Sequence, residues 1–229
     1  MAEKKLNAWK ESLVRDIGVK ESIVIYGNVL DICRNQLNQK RYDSILRNVV
    51  DIVKAKDYKR VRVWDCVGGT NWELSKYRKN TPEQSPAPGG YLDADDDAFT
   101  QPSNISPTSG DTDVDNFFSE MLTDLNGATE PTAFILDYSD YLFGNSNSLS
   151  EKERMYLAKI AKTLQAQQYD IAGEYFRKPR NLVIILTKNQ SSIPPICYLD
   201  NPQVSSINIP YPGRPERSAF VDYVMPNLK

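Results

Sequence analysis

Five residues of the chain stand directly after short apolar runs, where a folded sheet would present them to a ligand. They are Gly27, Asn28, Asp137, Thr187 and Asn189. The carboxylate of Asp137 could hold Mg²⁺, because that cation prefers hard oxygen ligands. The glycine–asparagine pair could bind an anion through backbone amides at the start of a helix. The threonine hydroxyl and the second asparagine could sense a ligand bound at the same edge.

Each of these residues also has a structural interpretation that requires no ligand. Asp137 could be a polar strand end that faces water, and Asn28 could cap a helix that follows its strand. We favour these two interpretations, since no lysine accompanies Gly27 to neutralise a phosphate. For Thr187 and Asn189, ligand sensing and the capping of a loop are equally open.

The elements that position these residues are five apolar runs that predict β-strands. They are Ser22–Tyr26, Arg60–Asp65, Thr132–Asp137, Asn181–Thr187 and Ser206–Tyr211. The stretches between them have helical spacing, which predicts parallel strands joined by crossover helices. The stretch that follows the first strand, Val29–Lys56, is expected to form one long helix or two. Parallel strands end at one edge of a sheet, so the candidate residues should lie along that edge.

Four other segments show helical spacing, and one segment breaks the pattern. Helices are predicted over residues 4–16, over Val114–Leu125, from a capping box near Ser150 to about Gln168, and over Arg214–Val224. Residues 76–113 contain five of the 14 prolines, whereas residues 1–81 contain none. We expect residues 76–113 to be a mobile insertion in an otherwise single domain that spans residues 1–229.

The composition excludes several classes of function. Histidine is absent, which excludes Ser-His-Asp and Cys-His catalysis and zinc sites built on histidine. The three cysteines lie far apart, as in a reduced cytoplasmic protein. The net charge of −2 offers no general attraction for nucleic acid. No apolar run approaches the 18 or so residues of a membrane span.

The order of the strands and the residues at their ends carry a family resemblance. The segment from Asn181 to Phe220 resembles the AAA+ ATPases, of the P-loop NTPase fold, from their fourth strand to the first lid helix. The strand end Phe134–Asp137 looks like their Walker B motif. The resemblance implies an α/β three-layer sandwich with a parallel five-stranded sheet in the order 5-1-4-3-2. It also implies ATP or ADP with Mg²⁺ as the ligand, and residues 214–229 as the start of a lid helix.

Departures from the family pattern affect three catalytic parts. The stretch after the first strand, Gly27–Cys33, has one glycine, no lysine and the carboxylate of Asp31, where a phosphate-binding loop needs a lysine. Tyr138 takes the place of the Walker B glutamate. Pro202 and Ser205 take the places of the arginine fingers. The resemblance therefore implies a degenerate AAA+-like domain, N-terminal in a longer protein.

Three functions of different classes are consistent with these observations. The leading hypothesis is a non-hydrolysing module that serves assembly or regulation, with a neighbouring AAA+ domain or a ring of identical copies as its partner. The first alternative is a divergent ATPase that binds ATP near Gly27 and Asn28, with Asp137 on Mg²⁺ and Thr187 or Asn189 as sensor. The second is a nucleic-acid-binding module that uses basic residues around the second strand, namely Lys54, Lys56, Lys59, Arg60 and Arg62.

Overall fold

A computed structural model describes residues 8–35, 37–38, 41–77, 111–127, 129–144, 148–165, 169–172, 176–179, 181–199 and 201–227. Within these residues lie the α-helices α1 (Ala8–Asp16), α2 (Ile45–Ala55), α3 (Val114–Asn126), α4 (Glu151–Gln165) and α5 (Arg214–Val224). The strands are β1 (Ser22–Gly27), β2 (Ile32–Arg34), β3 (Tyr42–Ser44), β4 (Arg60–Asp65), β5 (Gly69–Thr70), β6 (Thr132–Leu136), β7 (Tyr169–Ala172), β8 (Phe176–Pro179), β9 (Asn181–Thr187) and β10 (Val204–Ile209).

The main sheet has six strands in the order β10-β1-β9-β6-β4-β5. The first five run parallel to one another, and β5 pairs with β4 in the antiparallel direction. The predicted five-stranded, wholly parallel sheet is therefore corrected to a six-stranded, mostly parallel one. Strand β5 escaped the prediction because it has two residues and lies in a glycine-rich stretch without an apolar run.

Alternate residues of the parallel strands build two apolar cores on opposite faces of the sheet. Ile23 in β1 belongs to the core that α1 and α2 cover, together with Leu13 and Val49. Val24, the next residue, belongs to the core that α3 and α4 cover, which includes Phe117. The fold is thus a helix–sheet–helix sandwich, as predicted. Strand β9 is buried along its whole length, because helices cover both of its faces.

The stretch after β1 differs from the prediction. The described residues between 29 and 44 form no helix, and strands β2 and β3 pair there as an antiparallel hairpin. Helix α2 begins only at Ile45, where the Ser44 side chain accepts a hydrogen bond from the Arg47 amide and caps the helix. The apolar residues of this stretch follow a helical period too loosely to exclude a short strand, so periodicity alone misassigned it.

The other helix predictions are close to the observed bounds. Helix α5 spans Arg214–Val224 as predicted, with a proline in its first turn. The capping box of α4 is present: the Glu153 amide donates to Ser150 Oγ at 3.3 Å, and the Ser150 amide donates to Glu153 Oε2 at 2.6 Å. None of the helices in the described part of the chain combines the length and the apolar character that a membrane crossing requires.

Candidate functional site

Three carboxylates lie at the edge of the sheet where the parallel strands end. Asp65 is the last residue of β4, Asp137 follows β6, and Asp140 lies in the 3-10 helix Ser139–Tyr141. Burial raises the pKa of Asp137 above its ordinary value, and the charges of Asp65 and Asp140 raise it further, although a hydrogen bond from the next amide opposes them. The edge is therefore acidic, and an approaching polyphosphate would be repelled.

Asp140 connects the two residues predicted to act as sensors. Its carboxylate accepts hydrogen bonds from Thr187 Oγ1 at 2.7 Å, from the Lys188 amide at 2.9 Å and from the Asn189 amide at 3.2 Å. Burial by itself would raise the pKa of Asp140, but these hydrogen bonds outweigh burial and hold the pKa below its ordinary value. The ionised carboxylate thus ties the loop after β9 to the loop after β6.

The hydroxyl of Thr187 is engaged within the protein. Thr187 is only 1% exposed, and its Oγ1 lies 2.9 Å from the Asn189 carbonyl oxygen as well as 2.7 Å from Asp140. A hydroxyl has a single proton, which these two acceptors compete for. In this structure Thr187 caps a loop, which was one of its two interpretations, and a sensing role for Thr187 and Asn189 stays a prediction.

The backbone after β1 is bonded to neighbouring strands. The Gly27 amide donates to the Lys188 carbonyl at 3.2 Å, and the Asn28 amide donates to the Ile209 carbonyl at 2.9 Å. Gly27 has a φ of +103°, and a Cβ there would lie 2.5 Å from the Ile209 oxygen, so no larger residue fits. The Asn28 side chain donates to Asp31 at 2.6 Å. Its predicted role as a helix cap is wrong, because no helix begins there.

This geometry does not fit the phosphates of ATP. A phosphate-binding loop offers several unpaired backbone amides and a lysine. Here the amides of Gly27, Asn28 and Val29 already donate to backbone carbonyls. The nearby side chain of Asp31 is a carboxylate, which repels a phosphate. Among the described residues, no three acidic or cysteine side chains converge closely enough to hold a metal ion. Asp137 as a Mg²⁺ ligand stays a prediction.

The residue after Asp137 has an unusual backbone. Tyr138 has a φ of +49°, in the left-handed region that residues with a side chain rarely adopt. Its amide donates to Asp137 Oδ1 at 2.9 Å, and the residue is 42% exposed. The conformation lets the chain turn sharply from β6 into the 3-10 helix that contains Asp140. The position that would hold a catalytic glutamate therefore serves a turn that places a different carboxylate.

Two of the basic residues around β4 form ion pairs within the fold. Arg62 is 3% exposed, and its guanidinium pairs with Asp111 at 2.9 Å and with Glu120 at 3.0 Å. Arg60 lies 3.9 Å from Asp124, with 14% of its side chain exposed. Ion pairs of this kind stabilise the fold and leave little of either guanidinium for a nucleic acid phosphate. This arrangement disfavours the nucleic-acid-binding alternative.

Two features of the site were not expected from the sequence. No role was predicted for Asp140, because no local pattern shows that its carboxylate would bond the loop after β9. Asp111 was assigned to a mobile insertion, yet it accepts hydrogen bonds from the Thr70 amide at 2.6 Å and from Arg62. A buried arginine in a strand was the one available signal, since it requires an acidic partner. The rest of the predicted insertion, residues 78–110, lies outside the described residues.

In a comparison with protein families, the family described as AAA+ chaperone, N-terminal Rossmann-like domain, matches residues 2–210. No curated protein matches the chain. The matched residues include the whole six-stranded sheet and the acidic edge, and they end before the first residue of α5.

Proposed function

We propose, because the chain belongs to the family of AAA+ chaperone N-terminal Rossmann-like domains, that it is a non-hydrolysing module that acts through contacts with other proteins. It would assemble with, or regulate, an active ATPase domain. The family supports an AAA+ protein and protein contacts in general, whereas the loss of hydrolysis and the choice of partner are our inference.

The observation that carries this proposal is the state of the backbone after β1. The amides of Gly27 and Asn28 donate to Lys188 and Ile209, so they are engaged without any ligand. Binding of a polyphosphate there would break these hydrogen bonds and bring its negative charge towards Asp31. Both effects oppose binding, because the carbonyl oxygens of Lys188 and Ile209 would lose their donors, at a cost of about 1–3 kcal/mol for a buried oxygen, and because like charges repel.

Exposed apolar side chains support a role in protein contacts. One group lies on the β2–β3 hairpin or just before it, and another lies on α5 or next to its ends. These residues are Leu30, Ile32, Leu37, Tyr211, Val221, Tyr223 and Met225. Their exposed fractions run from 40% for Tyr223 to 83% for Tyr211. Large apolar side chains concentrated on two elements are typical of a surface that another protein covers.

Phosphate release from ATP in the presence of Mg²⁺ tests the proposal on the whole chain. We expect the wild type, Asp137→Ala and Asp222→Ala to show no turnover above a protein-free blank. Asp222 is an exposed carboxylate on α5 and serves as the matched control. Turnover that is lost in Asp137→Ala and kept in Asp222→Ala would refute a non-hydrolysing module, whereas equal turnover in all three proteins would indicate a contaminant.

Self-association tests whether the partner is a second copy of the chain. If copies form a ring through the exposed face of α5, sedimentation velocity should show a larger species as the concentration rises. Val221→Asp should then dissociate it, because the change places a charge in an apolar interface. A single monomeric species at all concentrations would point to a different AAA+ domain as the partner.

The divergent ATPase is the second candidate function. It is favoured by the meeting of Asp137, Asp140, Thr187 and Asn189 at the carboxyl edge of a parallel sheet, where ligands of such folds bind. Calorimetry with ATP and ADP distinguishes the two hypotheses. Binding at micromolar concentration that Asn189→Ala abolishes would favour the ATPase, and the absence of heat at millimolar nucleotide would favour the non-hydrolysing module.

A cytoplasmic location is part of the proposal. It is supported by the three cysteines, which are all free thiols in the structure. Burial raises the pKa of Cys33, Cys66 and Cys197, and that of Cys197 reaches about 12. These thiols therefore stay protonated at neutral pH, as expected of structural cysteines in a reducing compartment.

A further inference from the structure

The β2–β3 hairpin stands directly after β1, where a nucleotide-binding relative would carry its phosphate-binding loop, and it contacts α5. The Tyr42 ring of β3 lies 5.1 Å from the Phe220 ring and 4.8 Å from the Tyr223 ring, centroid to centroid. The Arg34 guanidinium of β2 lies 5.6 Å from the centre of the Tyr42 ring on its face. The hairpin thus offers an aromatic side chain to one face of the last helix.

Helix α5 packs loosely against the rest of the chain that the structure describes. No residue of α5 is buried, and the family match ends at residue 210, four residues before the helix begins. A helix of 11 residues that buries no side chain is not stable by itself in water. The ring contacts of Phe220 and Tyr223 with Tyr42 attach α5 to the hairpin.

The hairpin and α5 also start from one point of the sheet. The hydrogen bond from the Asn28 amide to the Ile209 carbonyl joins the end of β1 to the end of β10. Gly27 permits this approach, since a Cβ would lie 2.5 Å from the same oxygen. The hairpin and α5 therefore begin next to each other, and the Tyr42 ring of the hairpin contacts the Phe220 and Tyr223 rings of α5.

We propose that Tyr42 is an aromatic clamp that holds α5 against the β2–β3 hairpin in place of a bound nucleotide. The proposal rests on the non-hydrolysing function proposed above. The position of α5 is then a permanent feature of the fold and does not respond to ATP or ADP.

Hydrogen exchange of the whole chain, read by mass spectrometry at short labelling times, tests the clamp. Tyr42→Ala should speed exchange of the α5 amides by about tenfold, because two aromatic contacts are lost. Exchange of strand β9 should stay unchanged, which shows that the variant is folded. Tyr42→Phe keeps the ring and should match the wild type, as should Tyr211→Ala, which removes an exposed tyrosine from the loop before α5.

The same measurement with millimolar ATP or ADP and Mg²⁺ completes the test. Equal α5 exchange with and without nucleotide, together with faster exchange in Tyr42→Ala, supports the clamp. Slower α5 exchange on addition of nucleotide overturns it, and so does a Tyr42→Ala variant with wild-type exchange. If exchange of β9 became faster in Tyr42→Ala, that variant would be unfolded, and Phe220→Ala would be used in its place. Faster α5 exchange in Phe220→Ala would support the clamp, and wild-type exchange would overturn it. A chain that hydrolyses ATP but keeps an unresponsive α5 would refute the proposed function alone.

Discussion

Replacement of Asp140 provides the most direct test of how the acidic edge is built. Its carboxylate accepts three hydrogen bonds, from Thr187 Oγ1, the Lys188 amide and the Asn189 amide, at 2.7–3.2 Å. A hydrogen bond to a charged group contributes about 1.5–3 kcal/mol. Because the carboxylate is half-buried and Thr187 keeps a second acceptor, we take about 1 kcal/mol for each bond. Asp140→Ala should therefore lower the free energy of unfolding by about 3 kcal/mol.

The assay is urea unfolding followed by circular dichroism at neutral and at acidic pH. Asp140→Asn keeps an oxygen acceptor without the charge and should lose only about 1 kcal/mol at pH 7. The pKa of Asp140 is lowered by folding, so its stabilising charge is fully present above the ordinary aspartate range. That contribution is lost as the pH falls through the folded pKa. The difference between wild type and Asp140→Asn should therefore vanish in acid.

Two results would contradict this account of Asp140. One is an Asp140→Ala variant within about 0.5 kcal/mol of the wild type, the range of ordinary surface substitutions. The other is a difference from Asp140→Asn that grows as the pH falls. Asp222→Ala, an exposed carboxylate on α5, provides the matched control and should stay within that same range.

Three further predictions concern neighbouring parts of the fold. Arg62→Met should lower the free energy of unfolding in urea by about 3–5 kcal/mol, since it leaves Asp111 without its buried partner. The double variant Arg62→Met with Asp111→Asn should recover part of that loss. Asp137→Asn should raise the melting temperature at pH 7 but not in acid. Folding raises the pKa of Asp137, so the stabilising effect of its protonated form is lost as the pH rises through that pKa. At pH 7 the ionised carboxylate therefore destabilises the fold, and the neutral amide of asparagine does not. Gly27→Ala should lower the melting temperature sharply, because the added Cβ would lie 2.5 Å from the Ile209 oxygen. A variant with the wild-type melting temperature would contradict this prediction and would show that β1 can shift to make room.

The sequence predicted the elements with the strongest patterns and missed the ones that depend on neighbours. The runs Arg60–Asp65 and Asn181–Thr187 match β4 and β9 residue for residue. In β9 the apolar run is unbroken, as a strand buried on both faces requires, whereas Arg62 interrupts the apolar residues of β4. The last strand was placed two residues too late, at Ser206 instead of Val204. It lies at the edge of the sheet, where exposed serine and asparagine side chains interrupt the apolar pattern.

The sequence predicted which residues lie at the carboxyl edge, and it did not predict how they are bonded. Asp137 and Thr187 both lie at that edge, because parallel strands end together. The bond that links their loops is made by Asp140, whose partners are more than 45 residues away in the chain. No local pattern encodes such a contact. Likewise, the hairpin after β1 owes its form to its contacts with α2 and α5, which periodicity does not describe.

By itself, the sequence determined the α/β class, most of the helices, the five parallel strands of the main sheet, the absence of histidine chemistry and the lack of a phosphate-binding lysine. These follow from residue types and from the spacing of apolar side chains, which are properties of the chain read locally. Only the tertiary structure decided which polar groups are already satisfied. Several of these groups bond partners that are distant in sequence, namely the amides of Gly27 and Asn28, the hydroxyl of Thr187 and the guanidinium of Arg62. A hydrogen bond or ion pair of that kind exists only when folding brings both groups within reach.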